Sequence, residues 1–122
     1  MKPKRLGYCA TLLCLSSLPA LAGDADAEIQ YLLSATGQND CAFIRNGKAH
    51  SPTEAEAHLR MKYNIGKNRV DSAEQFIGRI ASKSSWTGKS YYIECPNTQK
   101  QTAGDWLSDQ LALYRRHPAQ EQ

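Results

Sequence analysis

Apolar residues recur along this chain with two different periods. Ile29, Leu32, Leu33 and Thr36 fall at i, i+3, i+4 and i+7, which puts them on one helix face and predicts a first helix over residues 24–36. Asp24, Asp26 and Glu28 stand at its start, where the helix dipole favours anions, and Gly37 is the expected stop. Residues 41–45 then read as a short strand. Asn46-Gly47 is a strong hairpin signal, because both central positions of a type I′ turn take φ > 0. A short return strand over 48–50 runs into Ser51-Pro52-Thr53-Glu54. Ser and Glu at that spacing form a capping box, and proline fits the first helical position. Ala55, Leu59 and Tyr63 make the apolar column of this second helix, with Met61 and Lys62 beside it and Gly66 at its end.

The connection over residues 67–70 is short, so the next helix should fold back on this one. Asp71-Ser72-Ala73-Glu74 supplies a second cap. Ala73, Phe76, Ile77, Ile80 and Ala81 then follow the helical template without a miss. Residues 82–89 form a polar loop, expected to pack Trp86 and to turn at Gly88. The period changes to two over residues 90–95, with Tyr91, Ile93 and Cys95 on one face and Tyr92 and Glu94 on the other. Pro96 ends that strand, and residues 97–101 read as a mobile loop. Thr102 caps a last helix with Trp106, Leu107, Leu111 and Tyr114 inward. Arg115, Arg116 and His117 complement its C-terminal dipole and Pro118 closes it. The expected fold is a small α+β domain: about four helices packed on a short antiparallel sheet of two or three strands.

The N-terminus changes the composition. Lys2, Lys4 and Arg5 precede an apolar run that is short for a membrane span, and Ala20-Leu21-Ala22 supplies a small-residue cleavage site. This pattern predicts a secretory signal peptide over residues 1–22 and a single domain over 23–122. The formal net charge of +3 then belongs to the signal alone, and the remainder carries equal numbers of acids and bases. That removes the electrostatic case for nucleic acid. The chain is expected in the periplasm or outside the cell, not membrane-integral once the signal is removed.

Of the four cysteines, Cys9 and Cys14 leave with the signal. Cys41 and Cys95 remain, an even pair in an exported domain, and read as one disulfide. Closing a loop of about fifty residues is worth on the order of 4 kcal/mol if unstrained. Direct cross-strand pairing of these cysteines would require their two strands to be antiparallel.

Little in the chain points to chemistry. Thr87-Gly88-Lys89-Ser90 resembles the end of a P-loop, but Lys83 stands where the first glycine is needed and the element order is wrong. Ser84 and Ser85 lie in no nucleophile elbow and no S-x-x-K motif. Glu54, His58 and Lys62 form an i, i+4, i+8 column, with His50 just before the helix cap. A carboxylate beside an imidazole suits acid–base work, and two histidines with a carboxylate suit a metal. The H-x7-H spacing matches no standard zinc pattern, however, and a Glu–His i, i+4 pair has an ordinary surface reading. Arg60, Lys62, Lys67 and Arg69 run without an intervening acid. With Arg45 and Lys48 they suggest a face toward an anion. The candidate ligand-binding surface is therefore Arg45, His50, His58, Arg60 and Lys89. No catalytic residue, metal ligand or cofactor is assigned.

Several strings occur in order: Phe43-Ile44-Arg45-Asn46-Gly47 with His50, then Glu54-Ala55 with His58-Leu59-Arg60 and Lys62. They continue with Ala73-Glu74-Gln75-Phe76-Ile77, and with the run from Ala81 through Trp86-Thr87-Gly88-Lys89 into Tyr91. In these the chain resembles the YfeK-like family of small exported bacterial proteins of unknown function, over most of residues 28–111. The resemblance implies a periplasmic protein and no particular activity. The leading expectation is a non-catalytic binding or accessory module of the cell envelope, recognising a protein or an anionic ligand. A small hydrolase using His58 or His50 with Glu54 is the alternative, and a metal-binding protein the third.

Overall fold

The structure, a computed structural model, describes residues 24–117; the expected signal segment lies outside them. Helix α1 spans Ala25–Gly37, strand β1 Ala42–Arg45, strand β2 Lys48–His50 and helix α2 Pro52–Gly66. A 3-10 turn follows over Lys67–Arg69. Helix α3, Ala73–Phe76, continues as a π-turn over Ile77–Ala81. Strands β3 (Tyr92–Glu94) and β4 (Gln101–Thr102) and helix α4 (Ala103–Arg116) complete the described chain. The fold class is α+β, as expected.

Local chemistry sets these boundaries. Asn46 and Gly47 take φ of 52° and 81°, the left-handed pair that the β1–β2 turn demands. Ser51 accepts from the Glu54 amide while Glu54 accepts from the Ser51 amide, so the capping box is complete. Ser72 caps α3, but its reciprocal partner is Gln75, which accepts from the Asp71 amide, rather than Glu74. The widened turn that follows keeps Ile77, Ile80 and Ala81 buried while Gly78 and Arg79 stay exposed.

The sheet is antiparallel throughout, in the order β2-β1-β3-β4. Phe43 pairs with His50 on one side and Ile93 on the other. This register brings Cys41 and Cys95 together, and they form a disulfide with Cα atoms 4.1 Å apart. The sheet has four strands, because residues 101–102 are not loop. Asn97 takes φ of 62°, Thr98 bonds back to the Cys95 carbonyl, and the returning chain pairs Gln101 with Ile93. A two-residue strand is too short to show alternation, so no period marks it.

Helix α1 packs against both α2 and α4, while α2 lies on β1 and α4 on β3. One apolar cluster joins them, with Phe43, Leu59, Phe76, Ile93 and Leu107 almost fully buried. A charged cluster sits at its edge. Glu28 is buried, and Arg115 donates to it through Nε at 2.7 Å and Nη2 at 2.9 Å, and to Glu74 at 2.7 Å. Arg115 thus joins α1, α3 and α4, a role beyond complementing a helix dipole.

Candidate functional site

The cleft is built from one helix face, one strand end and one loop. On α2, Ala55 and Leu59 face the core, while His58, Met61, Lys62 and Ile65 recur at i, i+3, i+4 and i+7 on a second face. Arg45 closes β1 and Tyr91 precedes β3, so the antiparallel pairing sets them beside that face. The loop after the π-turn makes the far wall. Ser84 is buried, accepts from the amides of Trp86 and Thr87, and bonds through its backbone to Gly88 and Lys89. The chain turns left-handed at Gly88, φ 73°. Thr87 donates to Asn46 Oδ1 at 2.8 Å, tying this loop to the hairpin turn.

The loop does not pack Trp86. Its turn is held by Ser84, and Trp86 is 97% exposed at the cleft mouth. Ile65 and Met61 are 79% and 49% exposed on the same rim. Three of the five large exposed apolar side chains of the described residues therefore converge on one cleft of about 560 Å³.

A polar chain crosses the cleft floor. Lys62 Nζ donates to Tyr91 Oη at 3.1 Å and to the Lys83 carbonyl at 2.8 Å. Tyr91 Oη lies 3.4 Å from His58 Nε2. Arg45 reaches His58 Nε2 through Nη1 and His50 Nδ1 through Nη2, each at 3.4 Å. A guanidinium has donors only, so both imidazole nitrogens act as acceptors toward it. Their protonation agrees. Burial, then Arg45 and Lys62, lowers His58 to about 4. Burial, then Arg45, also holds His50 below its ordinary value. Both rings are neutral at pH 7, so the 3.6 Å approach of His50 to Glu54 is not an ion pair. Burial, then Arg45, lowers Lys62 to about 8, and burial pushes the Tyr91 phenol up.

Burial acts on all four groups, and Arg45 adds to it at the two imidazoles and at Lys62 but opposes it at Tyr91. Arg45, Lys62, Arg69 and Arg79 line the cleft and no acid does. The Nε of Arg45 is buried without a hydrogen-bond partner.

Of the surface expected from sequence, the structure brings Arg45, His50 and His58 together. Arg60 lies elsewhere. Two positions from His58 puts it round the helix, where it bonds Glu56, Gln30 and Ser34 and staples α2 to α1. Lys89 is exposed and does not line the cleft. The Glu54–His58 pair is not formed either: Glu54 is turned back onto its cap and His50, while His58 faces Arg45 and Tyr91. Among the described residues, no three His, Cys, Asp or Glu side chains converge as a metal ion would need. Between the two imidazoles stands a guanidinium, which would repel a cation.

The fold and site define a class: a small disulfide-linked α+β domain with an acid-free cationic cleft. A model of the DUF5329 family, a family of unknown function, matches residues 23–115. The chain is also 47% identical over 87 residues to the Uncharacterized protein YfeK of Salmonella typhimurium strain LT2, covering 68% of this chain and 72% of that one. The chain belongs to this YfeK-like family. No solved structure matches it.

Proposed function

We propose that the protein is a binding module of the bacterial cell envelope whose ligand is an anion with an apolar or aromatic body. One observation carries this reading: Arg45 and Lys62 are half-buried at the floor of a cleft that no carboxylate lines. Buried charge is costly unless paired, and an incoming anion would supply the missing partner. The apolar rim of Met61, Ile65 and Trp86 suits the rest of such a ligand. The reading is non-catalytic: no carboxylate stands beside His58, and at His50 burial and Arg45 outweigh the basicity that Glu54, 3.6 Å away, would add. Export is part of the proposal. It rests on the signal-like pattern of residues 1–22, the disulfide, and a family match that begins at residue 23. No helix of the described residues is long and apolar enough to cross a membrane.

Trp86 gives a direct assay, because Trp106 is buried. Phenyl phosphate should quench or shift Trp86 emission, phenol should bind at least about tenfold more weakly, and added salt should weaken the phosphate complex. Arg45→Gln, checked for folding by circular dichroism, should lose the preference for phenyl phosphate. Equal binding of phenol and phenyl phosphate, or no effect of Arg45→Gln, would refute the proposal.

A further inference from the structure

Lys62 is unlike the other lysines. Its Nζ is drawn into the cleft wall, 4.9 Å from the Tyr91 ring centroid, with two of its three hydrogens held by the Lys83 carbonyl and Tyr91 Oη. Among the described residues nothing accepts the third. Losing that proton forfeits no protein hydrogen bond and leaves a lone pair on a nitrogen already fixed by two contacts. The charged groups around it favour the loss. Arg45 faces it from β1, Arg69 and Arg79 line the same cleft, His58 and Tyr91 are neutral, and no carboxylate is present. A lysine desolvated in an apolar site beside another cation is the arrangement that activates amines toward carbonyl groups.

We propose that Lys62 is a covalent binding residue, whose amine forms a reversible imine with an aldehyde or ketone that carries an acidic group and an apolar or aromatic body. This deepens the anion-binding reading and rests on it: Arg45 holds the acid group, and Met61, Ile65 and Trp86 cover the body. The neutral amine adds to the carbonyl carbon, forming C–N and breaking the C=O π bond. One amine hydrogen passes to the oxygen, giving a carbinolamine. The C–O bond then breaks and the oxygen leaves as water with the second amine hydrogen. No oxidant or other reactant is consumed, and water reverses the sequence. Tyr91 touches the amine and lies 3.4 Å from His58 Nε2, so it is placed to relay these protons. With Lys62 lowered to about 8, its free-amine fraction at neutral pH exceeds that of an ordinary lysine by over about a hundredfold.

Pyridoxal 5′-phosphate combines an aldehyde, an aromatic ring and a phosphate, and pyridoxine 5′-phosphate differs by having an alcohol for the aldehyde. The full exported chain is incubated with the aldehyde, reduced with borohydride, digested and mapped by mass spectrometry. The adduct should form at Lys62 at least about tenfold faster than at exposed Lys67 or Lys89. Lys62→Arg keeps the charge and lacks the nucleophile. It should lose the adduct, while the natural chain binds pyridoxine 5′-phosphate reversibly, read from Trp86 emission. Labelling spread evenly over surface lysines, with pyridoxine 5′-phosphate still bound, would overturn the imine and leave the anion site standing. If neither compound binds, both readings fall together.

Discussion

Removing Lys62 should flatten the dependence of stability on alkaline pH. In the folded chain Lys62 sits at about 8, against 10.5 for an unperturbed lysine. Between those values the unfolded chain holds a proton that the folded one has released, so folding stability rises with pH across the window and the gain is absent below it. The full shift corresponds to about 3.4 kcal/mol at 1.36 kcal/mol per unit. Lys62 is only half-buried, and solvent screening brings the expected gain to roughly 1–2 kcal/mol. Lys62→Met has no such group. Urea unfolding followed by circular dichroism from pH 7 to 10, with the disulfide intact, should show the stability of the natural chain climbing relative to Lys62→Met by that amount. Tyrosines and other lysines titrate in both proteins and cancel in the difference. The comparison also isolates charge from contact, because hydrogen bonds lost in the variant are lost at every pH. Parallel curves would refute the claim that Lys62 is held among cations without a compensating acid. Phosphate added at neutral pH should narrow the gap, since an anion at Arg45 and Lys62 offsets the same repulsion.

The histidine prediction has the opposite practical range. His58, at about 4 in the folded chain against 6.5 unfolded, should make stability fall as pH drops from 6.5 toward 4. Its imidazole resonances should titrate near pH 4 by NMR; a midpoint at or above 6.5 would mean that His58 is neither desolvated nor faced by Arg45. Arg115→Met should cost about 3 kcal/mol in urea unfolding, since it strands buried Glu28, and Glu28→Gln should rescue part of that loss. A loss under about 0.5 kcal/mol would show that Glu28 is solvated. Replacing both Cys41 and Cys95 by alanine should lower stability by about 4 kcal/mol for a separation of 54 residues. An unchanged urea midpoint would argue that the unfolded chain is already compact.

The parts of this fold that are local were legible in the chain. The Asn46-Gly47 turn, the Ser51 box and the Thr102 cap are each specified within four residues, and each forms as read. The antiparallel arrangement followed from one cysteine opening its strand and the other closing its own. The site was legible only in part. Arg45, His50 and His58 stood out as charged or titratable groups near a turn. Tyr91 did not, because an apolar alternation reads as core, although its hydroxyl meets Lys62 and His58 in the cleft. Met61 and Ile65 were hidden by the stronger Ala55–Leu59 column on the same helix, although the His58, Met61, Lys62 and Ile65 spacing was there to be found. Trp86 was misread because large aromatics are usually covered, and its exposure depends on a turn closed by Ser84. Arg60 was misplaced because proximity in sequence is not proximity on a helix. The Glu28–Arg115 pair joins residues 87 apart, and no local pattern announces it.

The disulfide has a further consequence for the cleft. Every residue that lines it lies between Cys41 and Cys95, so the whole site belongs to one covalent ring, and α1 and α4 hang from that ring as two open tails. Fraying or proteolytic trimming at either tail leaves the ring's connectivity intact, whereas reducing a single bond opens it. A site carried in this way is closed covalently by one bond, which ties it to the redox state of its surroundings, while α1 and α4 support it through non-covalent contacts alone.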